Sequence, residues 1–205
     1  MLDVIAFPTR CAGCDRPGPV LCRTCRFALA ARATDGPPGV VVAAPFTGRV
    51  RNVLLGFKYR NRRPVAAHLA GLVVNRLVGA GVRPDVVTWA PTSARRRRQR
   101  GFDQAELVAR QVARQLGLPC RRLLERSTDG APQTGRGRDE RLVGPAFRVH
   151  PSVPVAHVLV VDDVVTTAAT LRSAAAALER GGARTVTMAA VAATPARDVG
   201  VRRAA

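Results

Sequence analysis

Residues 158–171, Val-Leu-Val-Val-Asp-Asp-Val-Val-Thr-Thr-Ala-Ala-Thr-Leu, limit the fold of this chain more than any other stretch. Val158 to Val161 form an apolar run short and branched enough for a buried strand. Two adjacent acids, Asp162 and Asp163, end the run. Thr166, Thr167 and Thr170 make a hydroxyl-rich turn, and the Ala/Leu-rich residues from about 171 to 180 have helical propensity. A helix N-terminus offers free backbone N–H groups and the positive end of a dipole, so it suits an anion such as phosphate. The Thr hydroxyls add donors. The acids stand where sugar hydroxyls or a hydrated cation could be held. In open parallel sheets such a turn lies at the carboxyl ends of the strands, where ligands bind. Ordinary capping explains one acid and one threonine. It does not explain two neighbouring carboxylates, which repel each other.

The rest of the chain alternates strand and helix signals. Val40–Phe46 reads as a strand and Gly48–Tyr59 as a helix, with Val50, Val53, Leu54 and Phe57 at helical spacing. Pro64 opens a helix reaching about Val78. Asp85–Ala90 is a strand. Pro91–Gly101, with its run of arginines, is expected to be a mobile, solvated loop. Phe102–Leu116 is an amphipathic helix, and Leu123–Glu125 and Val143–Val149 offer short strands. Ser127–Arg141 reads as irregular. His157–Val161 is the motif strand, ending at the acids, and Thr185–Ala193 is the last strand. This order implies an α/β fold with a mainly parallel sheet flanked by helices.

Cys11, Cys14, Cys22 and Cys25 form two Cys-x₂-Cys pairs seven residues apart. Four thiolates so spaced suit one tetrahedral, structural Zn²⁺. Asp15 to Pro19 suit the tight loop between the pairs. A redox Cys-x-x-Cys normally occurs singly at a helix start. The segment is too short to bury a core alone, so metal binding is expected to supply its folding free energy. Cys120 reads as a packed small side chain. A polar, Pro/Gly-rich stretch, Arg32–Gly39, divides the chain into a small N-terminal zinc-binding segment (1–35) and a main domain (36–205).

The net charge of +19 rests almost entirely on arginine, because Lys58 is the only lysine. Arginine-rich composition follows from GC-rich coding, but the excess over acids does not, and a strongly basic surface attracts phosphates. No apolar run approaches the ~20 residues of a membrane span. The first ten residues carry no export signal, so the expectation is a cytoplasmic protein.

The stretch from Val158 to Thr170 resembles the phosphoribosyl-diphosphate (PRPP) motif of the type I phosphoribosyltransferases, with Ala168 where glycine is common. Three further places narrow the resemblance to the ComF family of competence-associated proteins. They are Lys58-Tyr59-Arg60, Arg100-Gly101-Phe102-Asp103-Gln104 and Pro132-Gln133 with Arg141 and Phe147; the four-cysteine segment is also typical of that family. Asp103 stands where the family's signature has asparagine. The resemblance implies a type I phosphoribosyltransferase-like fold. It implies ribose contacts from Asp162 and Asp163, and a 5′-phosphate cradle of Thr166, Thr167, Ala168, Ala169 and Thr170. Lys58, Tyr59 and Arg60 would contact diphosphate, and Arg100 would sit on a closing loop. Lys58 and Arg100, with Asp162 and Asp163, are the catalytic candidates.

The implied cofactors are Mg²⁺, arriving with PRPP, and structural Zn²⁺. The implied reaction displaces diphosphate from ribose C1 by a nitrogen nucleophile, in a protein linked to DNA uptake or repair. Single-stranded DNA and DNA-uptake or recombination proteins are the implied partners. Two rivals stand beside it: a nucleic-acid-binding accessory protein with little or no catalysis, and a PRPP-sensing regulator.

Overall fold

The computed structural model describes residues 9–30, 34–127, 145–151, 153 and 156–195. The expected Pro132-Gln133 and Arg141 features lie outside them. Helix α1 spans Arg23–Ala30, strand β1 Val40–Pro45, α2 Gly48–Tyr59 and α3 Ala66–Gly79, the last entered through a 3₁₀ turn at Arg63–Val65. Then come β2 (Val86–Trp89), α4 (Ala94–Arg100), α5 (Gln104–Leu116), β3 (Leu124–Arg126), β4 (Phe147–Val149), β5 (His157–Val165), α6 (Ala169–Arg180) and β6 (Thr185–Ala193).

Four strands form one parallel sheet in the order β1-β6-β5-β2. β3 and β4 pair antiparallel as a separate ribbon. On one face of β5, Leu159 and Val161 join the cluster built with α2, α3 and α5. On the other, Val158 and Val160 join the cluster beneath α6. Apolar side chains are therefore needed at every position of that run, as a two-faced parallel strand requires.

Two expectations are corrected. The motif strand does not stop at Val161, because β6 continues the ladder: Asp162 pairs with Ala190, Val164 with Ala192 and Val165 with Ala193. The acids are thus strand residues, and the turn begins only at Thr166. The arginine-rich segment is not a loop. The Ser93 side chain accepts the Arg96 N–H at its start, Gly101 takes the left-handed conformation (φ 75°) at its end, and between them the chain is helical as α4. Arginine is a good helix former, and Arg97, Arg98 and Arg100 crowd the last turn, where the dipole favours cations.

The cysteine segment does bury apolar surface, but against the main body. Cys11, Ala12, Cys25 and Leu29 share one core with Val50, Val53 and Phe57. Helix α2 crosses so near the segment that a Cβ at Gly56 would run into the Ala12 carbonyl.

Ala168 is left-handed (φ 61°) just before α6. For a residue with a Cβ this costs about 1–2 kcal/mol, whereas glycine has no such penalty but more chain entropy to lose. Ala168→Gly is therefore expected to stabilise the protein by about 0.5–1 kcal/mol, and Ala168→Val to destabilise it, in urea denaturation.

Candidate ligand site and metal centre

Side chains of successive strand residues point to opposite faces. Adjacent acids at 162 and 163 therefore part company. Asp163 falls on the side of Leu159 and Val161, where α2 packs, and its Oδ1 accepts from Lys58 Nζ at 2.9 Å. Both side chains are largely buried. Asp162 points to the other side. Its Oδ1 accepts the Asp163 N–H at 2.7 Å, and among the described residues it has no ion-pair partner. Burial above all, and then the Asp163 charge, push the Asp162 carboxyl up to about 8, with the Asp163 N–H and Lys58 pulling the other way.

Two adjoining cavities open at this end of β5. One, of about 320 Å³, is lined by Lys58, Arg96, Arg100, Arg126, both acids, Thr166 and Thr170 among others. The second, of about 400 Å³, is lined by Thr166 through Thr170, with Asp162, Arg96 and Arg126 shared. The acids, the Thr turn, Lys58 and Arg100 are thus brought together. Arg96, from the arginine run, and Arg126 join them; Arg126 was not picked out in the sequence. Arg126 follows Leu124 and Glu125 in the three-residue strand β3, a pattern with no ligand signal. Burial and then the Arg96 charge draw the Arg126 guanidinium below its ordinary value.

Tyr59 and Arg60 leave this group. Tyr59 is exposed, with the Arg100 guanidinium 5.1 Å from its ring centre and Arg100 Nη2 donating to its hydroxyl at 3.1 Å. Arg60 turns to the cysteine segment and donates to the Ala12 carbonyl at 2.7 Å. Asp103 is buried and accepts the N–H groups of Thr92, Ala105 and Glu106. Burial raises its carboxyl above the ordinary range despite those donors. All three contacts need only an acceptor, so aspartate serves at this position without an amide. His157 sits at the start of β5, at the opposite end of the strand from the acids, with its ring between the Arg83 carbonyl and the Thr187 hydroxyl.

The sulfurs of Cys11, Cys14, Cys22 and Cys25 all lie within 4.8 Å of one another, and those of Cys14 and Cys22 are 3.8 Å apart. Tetrahedral zinc with ~2.3 Å bonds sets its sulfurs about 3.8 Å apart. The set therefore fits a Zn²⁺. The Cys22 N–H also points at Cys11 Sγ (3.4 Å). Burial opposes a Cys11 thiolate, but backbone N–H groups of Cys22, Cys14 and Gly13 outweigh it and bring that thiol down to about 6.

Comparison with known proteins places residues 103–203 in the phosphoribosyl transferase domain family. DNA utilization protein YhgH of Salmonella typhimurium is 31% identical over 194 residues, spanning 86% of this chain and 85% of the relative. Its counterpart in Salmonella typhi is 32% identical over 167 residues, 76% of this chain and 73% of the relative. Among solved structures, the glutamine PRPP amidotransferase from B. subtilis overlaps 63% of this chain and 26% of its own, at 20% identity and a TM-score of 0.45. The purine phosphoribosyltransferase from Pyrococcus horikoshii overlaps 66% and 76%, at 18% identity and a TM-score of 0.41.

Proposed function

The chain belongs to the ComF-like family of phosphoribosyltransferase-fold proteins that includes DNA utilization protein YhgH, and from that premise we propose that it binds PRPP at the carboxyl end of β5. The observation that carries the reading is the convergence of two acids, a Thr-rich helix entry and four cationic side chains on adjoining cavities. Mutual crowding of Arg96 and Arg126 is relieved by an anion between them. Thr166 to Thr170 would cradle the 5′-phosphate at the start of α6. Asp162 and Asp163 would hold the ribose hydroxyls. Lys58 and Arg100 would face the diphosphate, Lys58 as a point charge and Arg100 as a fork.

Diphosphate leaving from ribose C1 would develop negative charge, which these cations would stabilise. A nitrogen nucleophile would displace it directly, with no protein nucleophile required. The carboxylates suit a hard cation. Because Lys58 already neutralises Asp163, Asp162 is the carboxyl left to face a Mg²⁺, whose chemistry would be charge neutralisation on the diphosphate. The relatives' name points to DNA use, and the reading extends to a role beside DNA uptake or repair.

Titration calorimetry with PRPP and Mg²⁺ tests the proposal. Wild type should release or absorb heat saturably, and Asp162→Ala/Asp163→Ala should bind at least about 100-fold more weakly. A wild type without heat, or a double variant that binds equally well, removes it. A second reading, nucleic-acid binding, is favoured by the net charge of +19 and by exposed Tyr59 stacked with Arg100. Its mark is a single-stranded DNA affinity that falls steeply with salt; a flat dependence contradicts it.

A further inference from the structure

Gln104 opens α5 and is 1% exposed. It lines the cavity that also holds Lys58, Arg100 and Asp163. Its Oε1 accepts from Arg100 Nη1 at 2.9 Å. A guanidinium has donors only, so this contact decides which end of the amide is oxygen. The other end, Nε2, is buried and has no hydrogen-bond partner among the described residues. Buried amide donors are almost always partnered, because leaving one bare forfeits its hydration.

The surrounding frame holds the amide where it is. Gly101 turns the chain, Phe102 is buried with its ring 5.7 Å from that of Phe57, and Arg63 stacks on the Phe102 ring at 4.5 Å. Asp103 caps the helix with two N–H contacts and ties down Thr92 with a third. Arg100, the partner of the amide, is itself held by Tyr59. A bare donor held this firmly beside a cavity of cations calls for an anionic oxygen from outside the chain.

We propose that Gln104 is a ligand-binding residue whose Nε2 donates to an oxygen of the ligand's diphosphate. The choice of diphosphate over 5′-phosphate follows from placement. Gln104 shares its cavity with Lys58 and Arg100, whereas Thr167, Ala168 and Ala169 line only the adjoining one. The identity of the ligand rests on the PRPP reading above; the bare buried donor does not.

The test is calorimetry on the full chain with three probes: PRPP, inorganic diphosphate and ribose 5-phosphate, all with Mg²⁺. Gln104→Met, Arg100→Ala and the double variant are compared with wild type, and Gln104→Leu repeats the first with a different shape. Gln104→Met should lower affinity for PRPP and diphosphate about tenfold and leave ribose 5-phosphate unchanged. The loss should persist when Gln104→Met is made in the Arg100→Ala background, because the amide donates on its own account. A loss that vanishes in the Arg100→Ala background reduces Gln104 to a prop for Arg100 and overturns the proposal. So does an equal loss for ribose 5-phosphate. A wild type that binds diphosphate but not PRPP sinks the PRPP reading, while the diphosphate cycle still decides Gln104. A wild type that binds neither sinks both.

Discussion

Asp162→Asn is expected to make the free protein more stable near neutral pH and to weaken PRPP binding about 30-fold. Asp162 holds its proton up to about pH 8 in the folded chain, against an ordinary value of 3.8. The folded state therefore carries more protons than the unfolded state between these limits, and stability falls as pH rises through that window. Below it both forms are protonated; above it both are ionised and the slope disappears. Asparagine is neutral throughout and keeps an acceptor for the Asp163 N–H. The gap between variant and wild type should thus widen steadily from about pH 4 to 8. The neighbouring change has the opposite sign. Asp163→Asn leaves the largely buried Lys58 ammonium without its counter-charge and should cost about 3 kcal/mol. Urea denaturation at several pH values measures both. Parallel pH curves for Asp162→Asn and wild type, or a neutral Asp163→Asn, would contradict the division of the acid pair between two faces.

Zinc removal carries the second large effect. A structural zinc contributes on the order of 10 kcal/mol to the fold that encloses it. Here that fold also carries α2. Arg60 donates to the Ala12 carbonyl and Arg62 pairs with Asp15 at 3.0 Å. Both arginines follow directly on the last turn of α2, which bears Lys58. A strong chelator, or Cys22→Ser/Cys25→Ser, should lower the melting temperature by about 10 °C or more. Hydrogen exchange should rise in α1 and in the last turn of α2, while β5 and α6 stay protected. Metal analysis should find about one zinc per chain. A chelated protein with unchanged exchange at residues 11–30 would refute the metal centre.

Much of this architecture is legible in the sequence. The elements Gly48–Tyr59 and Thr185–Ala193 follow from spacing alone, because each has a continuous apolar face and clear ends. The cysteine spacing is local, so its convergence could be read directly. What escaped was decided by partners distant in sequence. The strand-ending acids looked like a turn because nothing near them shows that β6 continues the ladder to Val165. The run of arginines looked solvated and mobile because charge outweighed the quieter signals of Ser93 and Gly101 at its ends. Lys58, expected on diphosphate, lines the cavity and also pairs with Asp163, 105 residues away, a contact that nothing local in the sequence shows. Arg60 was expected beside it and faces the cysteine segment instead. Lys58 lies in the last turn of α2, whereas Arg60 lies just past its end, where the backbone has left the helical path. Arg126 could not be singled out in a chain with so many arginines, and no local pattern shows that the Gln104 amide is buried with its Nε2 unpartnered.

The most direct test of the central claim watches the ligand itself. Phosphorus NMR of PRPP with Mg²⁺, titrated with the protein, reports the 5′-phosphate and the diphosphate separately. Both sets of resonances should shift and broaden with wild type. Thr167→Val/Thr170→Val should spare the 5′-phosphate signal at the same protein concentration, and Arg100→Ala should chiefly spare the diphosphate. Resonances that stay sharp and unmoved with excess wild-type protein would contradict a phosphoribosyl-diphosphate site at the end of β5.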